Sequence, residues 1–272
     1  MKPVAFDYER PADVASAVKS LAAGGGTAKV MAGGQSLGPM LNLRLAQPSL
    51  VVDVRRIEEL TQVSESADAL VLGSCITHSM IEDGAVPDVT LGLMPAVAAD
   101  VAYRAVRNRG TIGGSVCHAD PAADWVSTLM LLSAVALIEG PRGQREERID
   151  RLVNGAFATS LEEDEILVAI RIPKLSGAAR WGYYKFCRKP GEFAEALAAV
   201  LVDPERKVCR AVIGATSGAP HVVEDAASIV ERFDQHDTMR ALEAAGVADD
   251  AYERQIHYVA LERATRRLCQ PA

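Results

Sequence analysis

The chain has 272 residues, 49% of them hydrophobic and 24% charged, with a net charge of -7. That length and composition suit one large globular domain or two smaller ones, and the acidic balance argues against nucleic acid or an anionic membrane surface as main partner, since both call for clustered positive charge. No apolar run reaches the ~18 residues of a membrane span, and the opening MKPVAFDYERP lacks a signal peptide's hydrophobic region, so a cytoplasmic location is expected.

In chain order, residues 3–8 read as a first strand ended by Arg10-Pro11, and Pro11 suits the first turn of a helix. Val14, Val18, Leu21 and Ala22 then form a helical apolar stripe that stops at Gly24-Gly25-Gly26. AKVMAGG supplies a strand running into glycines and SLVVDVRRI another, a βαβ-like opening over about the first 55 residues. ALVLGSCIT is a further strand, and Thr77 is placed to cap the helix that follows it. The alanine-rich segment from about Leu91 to Arg107 is predicted helical, ending at a second glycine loop in NRGTIGGSV, after which Pro121 opens an apolar helix. AVALIEGPRGQREERI reads as two strands around a Gly-Pro-containing turn, and EILVAIRIP as one more.

KLSGAARWG, residues 174–182, is the best linker candidate. Beyond it YYKFCRK, FAEALAAVLVD and VCRAVIGAT are expected as antiparallel strands, and His257, Leu261, Ala264 and Leu268 line one face of a C-terminal helix. Two α+β domains are therefore expected, without internal repeats. The cysteines (Cys75, Cys117, Cys187, Cys209 and Cys269) are scattered and form no C-x-x-C, and the histidines form no H-E-x-x-H. Free thiols and no metal site are expected.

Two segments share one chemistry. Ala32-Gly33-Gly34-Gln35-Ser36 and Thr111-Ile112-Gly113-Gly114-Ser115 each carry a Gly-Gly pair followed by a small hydroxyl residue. Glycines let the backbone approach a ligand and expose successive N–H groups. Two facing loops of this kind could grip a pyrophosphate without a lysine, although a tight turn explains either one alone. There is no G-x-G-x-x-G after a strand and no G-x-x-x-x-G-K-[ST], so neither a Rossmann nor a P-loop site is indicated. Gly34 to Gly38 also spell G-x-S-x-G, the nucleophile elbow of serine hydrolases, with Ser36 as nucleophile and His118 and Asp120 as later partners. Only about 35 residues precede Ser36, and Pro39 limits entry into a helix, so this reading is remote.

AGGQSL with LNLRLAQPSLVVDV, RNRGTIGGSVCHADPAAD, and DEILVAIRIP followed by YYKFCRK resemble the FAD-binding medium subunits of molybdenum hydroxylases. That family includes the flavoprotein subunit of CO dehydrogenase and the flavin domain of xanthine dehydrogenase. The similarity runs in order from about residue 2 to residue 200 and is weaker in AYERQIHYVALERATRRL. It implies the vanillyl-alcohol-oxidase (PCMH) type of FAD-binding fold: residues 1–175 as an FAD-binding domain of two α/β subdomains (about 1–55 and 56–175), and 180–272 as a small C-terminal α+β domain.

By resemblance, Ala32, Gly33, Gly34, Gln35, Ser36 and Leu37, flanked by Val30 and Met31, face Thr111, Gly113, Gly114 and Ser115 across the FAD pyrophosphate and ribitol. Val101 and Ala123 are expected at the cofactor too. Asp124 matches an acid near the adenosine ribose, or serves only as a first-turn helix acid. Leu167 matches a contact at the adenine end, or is a core leucine. Lys185 matches a lysine beside the isoalloxazine ring, where positive charge favours reduced flavin. Tyr183, on the same strand face, covers that ring or sits at a core edge. His118 and Asp120 either hydrogen-bond the cofactor or form a polar turn before Pro121.

The implied role is an FAD-carrying electron-transfer subunit. A large molybdenum-cofactor subunit and a small [2Fe–2S] subunit are the expected partners, as a dimer of heterotrimers, with no catalytic residue on this chain. A stand-alone FAD-dependent oxidoreductase with its own substrate and an assembly subunit that no longer holds FAD are the rivals. Cys117 stands where the family commonly has a small residue, and no cysteine-bearing insertion for an extra cluster is present.

Overall fold

Three short strands and two helices open the computed structural model, which describes residues 2–268. Strands β1 (Asp7–Glu9), β2 (Ala28–Met31) and β3 (Leu50–Asp53) form a parallel sheet in the order β1-β3-β2. Helix α1 (Val14–Ala23) begins where the Asp13 carboxylate accepts from Ser16 N at 2.7 Å, and buries Val14, Ala17, Val18 and Leu21. With Val52, Val54, Ile57 and Leu60 these make a small core of their own. Helix α2 (Leu37–Asn42) leaves the first glycine segment.

A five-stranded antiparallel sheet follows. Strands β4 (Val63–Glu65) and β5 (Ala69–Gly73) precede a helical insertion of α3 (His78–Glu82), α4 (Leu93–Asp100), α5 (Arg104–Arg107), α6 (Ile112–His118) and α7 (Asp124–Leu131). Strands β6 (Val135–Gly140) and β7 (Gly143–Arg148), helix α8 (Ile149–Leu152), the small hairpin of β8 (Val153–Gly155) and β9 (Ala158–Thr159), and β10 (Ile166–Pro173) complete it. The order is β4-β5-β10-β6-β7, which puts the last strand at the centre. The expected hairpin at residues 135–148 and the Thr77 cap, whose hydroxyl accepts from Met80 N at 3.3 Å, are both present.

The third sheet runs β11 (Arg180–Phe186), β12 (Ala196–Asp203), β13 (Val208–Gly214) and β14 (His221–Val223), antiparallel and in sequence order. All eight residues of β12 are buried because both faces of the sheet are covered. Leu197, Ala199 and Leu201 join α7 in the largest core. Ala196, Ala198, Val200 and Val202 pack under α9 (Ala227–Arg232), α10 (Gln235–Ala244) and α11 (Ala251–Arg267).

Several expectations need correction. The first strand begins at Asp7, not at residue 3. The helix expected from Leu91 to Arg107 is two helices, broken where Ala102 takes φ +45°. The helix expected from Pro121 begins at Asp124, and the Pro121 carbonyl instead accepts from Ala215 N. Pro39 sits inside α2 without harm, because the first-turn position it occupies needs no intrahelical N–H donor.

Residues 174–182 are no slack linker. Ser176 N and Oγ donate to the Asp203 carboxylate at 2.9 and 2.6 Å, Leu175 N donates to Val89 O, and β11 has begun by Arg180. Cys75, Cys117, Cys187 and Cys209 are free thiols, and Cys269 lies outside the described residues. Among the described residues no helix is long and apolar enough to cross a membrane.

Candidate functional site

The first glycine segment leaves β2 at Met31 and enters α2 at Leu37. Gly33 crosses so close to the 109–110 backbone that a Cβ there would overlap Arg109 O. Gly34 has φ +70°, a conformation in which side chains are strained. Among the described residues no protein acceptor meets the amides from Gly33 through Leu37. Ser36 makes no capping bond with its hydroxyl, while Gln35 folds back to donate to Gly33 O at 3.2 Å. All but Gly33 are half-buried. A run of N–H donors without protein partners is what binding of an anion such as a diphosphate requires.

The second segment is not a loop. Thr111 is the N-cap of α6, its hydroxyl accepting from Gly114 N at 3.0 Å, so Gly113 and Gly114 lie inside a helix. Ile112 N donates to Ile76 O and Gly113 N to Ser74 O, each at 3.0 Å, and Ser115 N to Thr111 O. Every amide from Ile112 to Ser115 already has a protein acceptor. The expectation of backbone donors from both segments is thus corrected: the second offers side chains, chiefly the half-exposed Ser115 hydroxyl. Its glycines serve packing, since a Cβ on Gly113 would overlap Ser74.

The two segments nevertheless meet. Gly33 lies against Arg109 and Gly110, and a Cβ on Gly114 would stand 3.8 Å from Ala32 Cβ. Sequence reasoning missed the prop behind this junction, His78. Its Nδ1 accepts from Trp125 Nε1 at 3.0 Å, and its backbone N donates to Gly110 O. Burial, with a smaller push from Arg107, lowers His78 to about 4, so it is neutral at physiological pH. Arg107 in turn donates to Val101 O and Ala102 O and pairs with Glu82, fixing the turn that contains Val101.

Cys117 is exposed at the surface, and the protein packed around its thiol pushes it up to about 12. Beside it the half-buried His118 ring lies 5.2 Å from that of Phe157. Asp120 accepts from Ala122 N at 2.9 Å and so shapes the turn before α7.

Asp124, Tyr183 and Lys185 form one buried cluster. Lys185 Nζ lies 3.0 Å from Asp124 Oδ1 and donates to Asp100 O at 3.2 Å, at the C-terminal end of α4; the Tyr183 hydroxyl donates to Asp124. The Lys185 side chain is 4% exposed. Burial raises the Asp124 carboxyl, with Lys185 opposing it, and burial together with the Asp124 charge pushes the Tyr183 phenol well above its usual value.

Asp124, expected at the ribose, is therefore in contact with both Tyr183 and Lys185, expected at the isoalloxazine. Tyr183, 5% exposed, has no free ring face to lay over a ligand. Leu167 is in the core, and Ala123, also buried, is the N-cap residue of α7. Val30 and Met31 are at least partly accessible on β2. Among the described residues no histidine or carboxylate bonds the Ser36 hydroxyl, so Ser36 lacks the base a serine nucleophile requires. The exposed aromatics Tyr103 and Phe193 flank the close contact of Gly191 with Ala102, beside the Lys185 cluster. Their exposure has no signature in sequence.

Residues 4–175 match the family model described as the FAD binding domain in molybdopterin dehydrogenase. The chain is 38% identical over 210 residues to the β subunit of caffeine dehydrogenase from a Pseudomonas species, covering 76% of this chain and 71% of that one. It is 37% identical over 202 residues to the carbon monoxide dehydrogenase medium chain of Hydrogenophaga pseudoflava, covering 74% and 70%. A solved structure of carbon monoxide dehydrogenase from that organism, lacking the Mo-pyranopterin moiety, matches with a TM-score of 0.87 at 30% identity over 98% of both chains. The chain belongs to the family of FAD-binding medium subunits of molybdenum hydroxylases, with their PCMH-type fold.

Proposed function

We propose, starting from that membership, that this chain is the FAD-carrying electron-transfer subunit of a molybdenum-containing dehydrogenase complex. In this reading a large molybdenum-cofactor subunit oxidises the organic substrate and a small [2Fe–2S] subunit relays the electrons. This chain delivers them to an external acceptor, and the three chains assemble in the cytoplasm as a dimer of heterotrimers. The observation that carries it is the run of partnerless amides from Gly33 to Leu37, set against the Ser115 wall in a chain of this family.

When bound, FAD supplies the redox centre, while the chain supplies its placement and surroundings. The Gly33–Leu37 amides hold the diphosphate, with the Ser36 and Ser115 hydroxyls as added donors from either wall. Gly33 lets the walls approach, Gly113 seats the second wall on Ser74, and Val30, Met31, Ala32 and Gly114 shape the passage between them. Lys185, held by Asp124 and by the carbonyl end of α4, keeps a fixed positive charge at the seam between the second and third sheets. Tyr183 steadies Asp124.

The same reading makes residues 1–175 the cofactor domain, with subdomains 1–55 and 56–175, and 180–272 an accessory domain. In support, α9–α11 and the outer face of β12 have a separate core. The self-contained oxidoreductase rival requires an acid–base pair open to a substrate, and the one buried carboxylate–lysine pair of the site is closed by Tyr183.

Purification of the complex from its source organism tests this. Stoichiometric FAD on this chain, with iron and molybdenum on two co-purifying chains, is the expected result. A chain that purifies alone and takes up no FAD would overturn it.

A further inference from the structure

Strand β11 is an edge strand whose alternate residues face α11. Gly182 lets the helix come so close that a Cβ there would overlap Ala264 O. On either side of that contact, Arg180 and Tyr184 emerge on the same face. Arg263 and Arg267, four residues apart on α11, both converge on Tyr184, their guanidinium carbons 5.0 and 5.1 Å from its ring centroid. Arg263 also donates to the Tyr184 hydroxyl and Arg267 to Tyr183 O. Arg180, Arg263 and Arg267 are exposed, and among the described residues none has a carboxylate within ion-pairing distance; neighbouring Arg266 pairs with Glu262.

What sets these three apart is their convergence: two unpaired guanidinium groups gather around one tyrosine, with Arg180 on the same strand face, in a chain with 36 acidic and 29 basic residues. Two like charges at i and i+4 repel, and each guanidinium holds most of its five N–H donors unused. A rigid aromatic plate fixes them in place, which lowers the entropy a partner must remove on binding. The patch also adjoins the proposed cofactor surroundings: Arg267 holds the Tyr183 carbonyl, and the Tyr183 hydroxyl holds Asp124, the partner of Lys185.

We propose that Arg180, Arg263 and Arg267, ordered around Tyr184, form the docking surface for an acidic face of the [2Fe–2S] partner chain. The inference rests on the electron-transfer reading above. Carboxylates of the partner replace the missing ion pairs, orient the encounter and make assembly dependent on ionic strength.

The test uses the tagged full-length chain, purified from its source organism with its companions at low and at high salt. The partner is identified by its iron content and the electron paramagnetic resonance of its reduced cluster. Arg263→Glu with Arg267→Glu is expected to lower the recovered [2Fe–2S] chain by about tenfold or more, with FAD content unchanged. Arg263→Lys with Arg267→Lys should recover most of it.

Arg180→Glu, which breaks no side-chain hydrogen bond or ion pair among the described residues, is expected to weaken recovery in the same direction and keeps the test sound should the double reversal unfold the chain. Equal recovery of the cluster-bearing chain by the wild type and Arg180→Glu, or by the wild type and a folded double reversal, overturns the inference. So does a change confined to self-association. Absence of any cluster-bearing chain from the wild-type preparation instead overturns the electron-transfer reading on which it rests.

Discussion

Residues 32–36 and 111–115 look like twins in sequence, and the fold uses them in opposite ways. The first keeps its amides open from Gly33 to Leu37; the second satisfies every amide from Ile112 to Ser115 within the protein. Both contain glycines that a Cβ would ruin, Gly33 against Arg109 and Gly113 against Ser74. The difference teaches that a Gly-Gly pair reports close backbone approach, and that only the hydrogen-bond census says whether the neighbour is protein or ligand. In the proposed site the first segment supplies the donors and the second the rigid wall against which it packs.

Alanine at either glycine gives the largest expected effect. Gly33→Ala and Gly113→Ala each place a methyl group onto backbone or Cβ atoms that have no rotamer to yield, costing more than about 3 kcal/mol. Denaturant midpoints should fall in both. The asymmetry lies in FAD: saturating FAD should restore much of the midpoint of a surviving Gly113→Ala protein, and little in Gly33→Ala, whose donor surface is itself displaced. A Gly113→Ala protein of normal stability that sheds FAD would break the comparison.

Acid comes next, and it acts on the wall through His78. Its folded pKa lies below its unfolded one, so the unfolded chain binds the proton more readily. The stability linked to His78 is complete above about pH 6.5 and is lost as the pH falls towards 4. A shift of that size corresponds to about 3 kcal/mol. Urea titrations of the wild type and His78→Phe should therefore diverge less at pH 4 than at pH 7, and parallel pH profiles would refute the assignment. A smaller loss, about 1 kcal/mol, is expected for Thr111→Ala, which uncaps α6 and frees Gly114 N; Thr111→Ser should keep the cap.

Much of this fold was legible because its signals are local. Thr77 precedes a helix, Gly-Pro punctuates the 135–148 hairpin, and Val14, Val18 and Leu21 keep a helical period, although the helix starts at Val14 behind the Asp13 cap and not at Pro11. Helix α6 was not legible as a helix. Two adjacent glycines oppose it by about 1 kcal/mol each, and what outweighs them is the fit of Gly113 on Ser74, a contact between elements.

The same holds in the site. That Tyr183 and Lys185 share a strand face follows from their spacing, but that Asp124 reaches both across some sixty residues does not. Helix α10 likewise has a local cap in Asp234, which accepts from Asp237 N at 3.0 Å. Local chemistry is written in the sequence; which partner consumes it is decided by packing.

The smallest effect sharpens the comparison furthest, because Ser36 and Thr111 occupy the same kind of position with opposite burdens. Each is the N-cap residue of its helix, but the Thr111 hydroxyl accepts from an amide while the Ser36 hydroxyl makes no such bond. Removing the Ser36 hydroxyl therefore leaves folding untouched, and its only cost is one donor to the ligand, about 1 kcal/mol or less. Ser36→Ala should have wild-type thermal stability without FAD and a dissociation constant for FAD raised by no more than about tenfold. A fluorophosphonate should leave Ser36 unlabelled, since no base activates it. Stoichiometric labelling would restore the nucleophile, and a loss of stability in the FAD-free protein would make Ser36 a structural cap like Thr111.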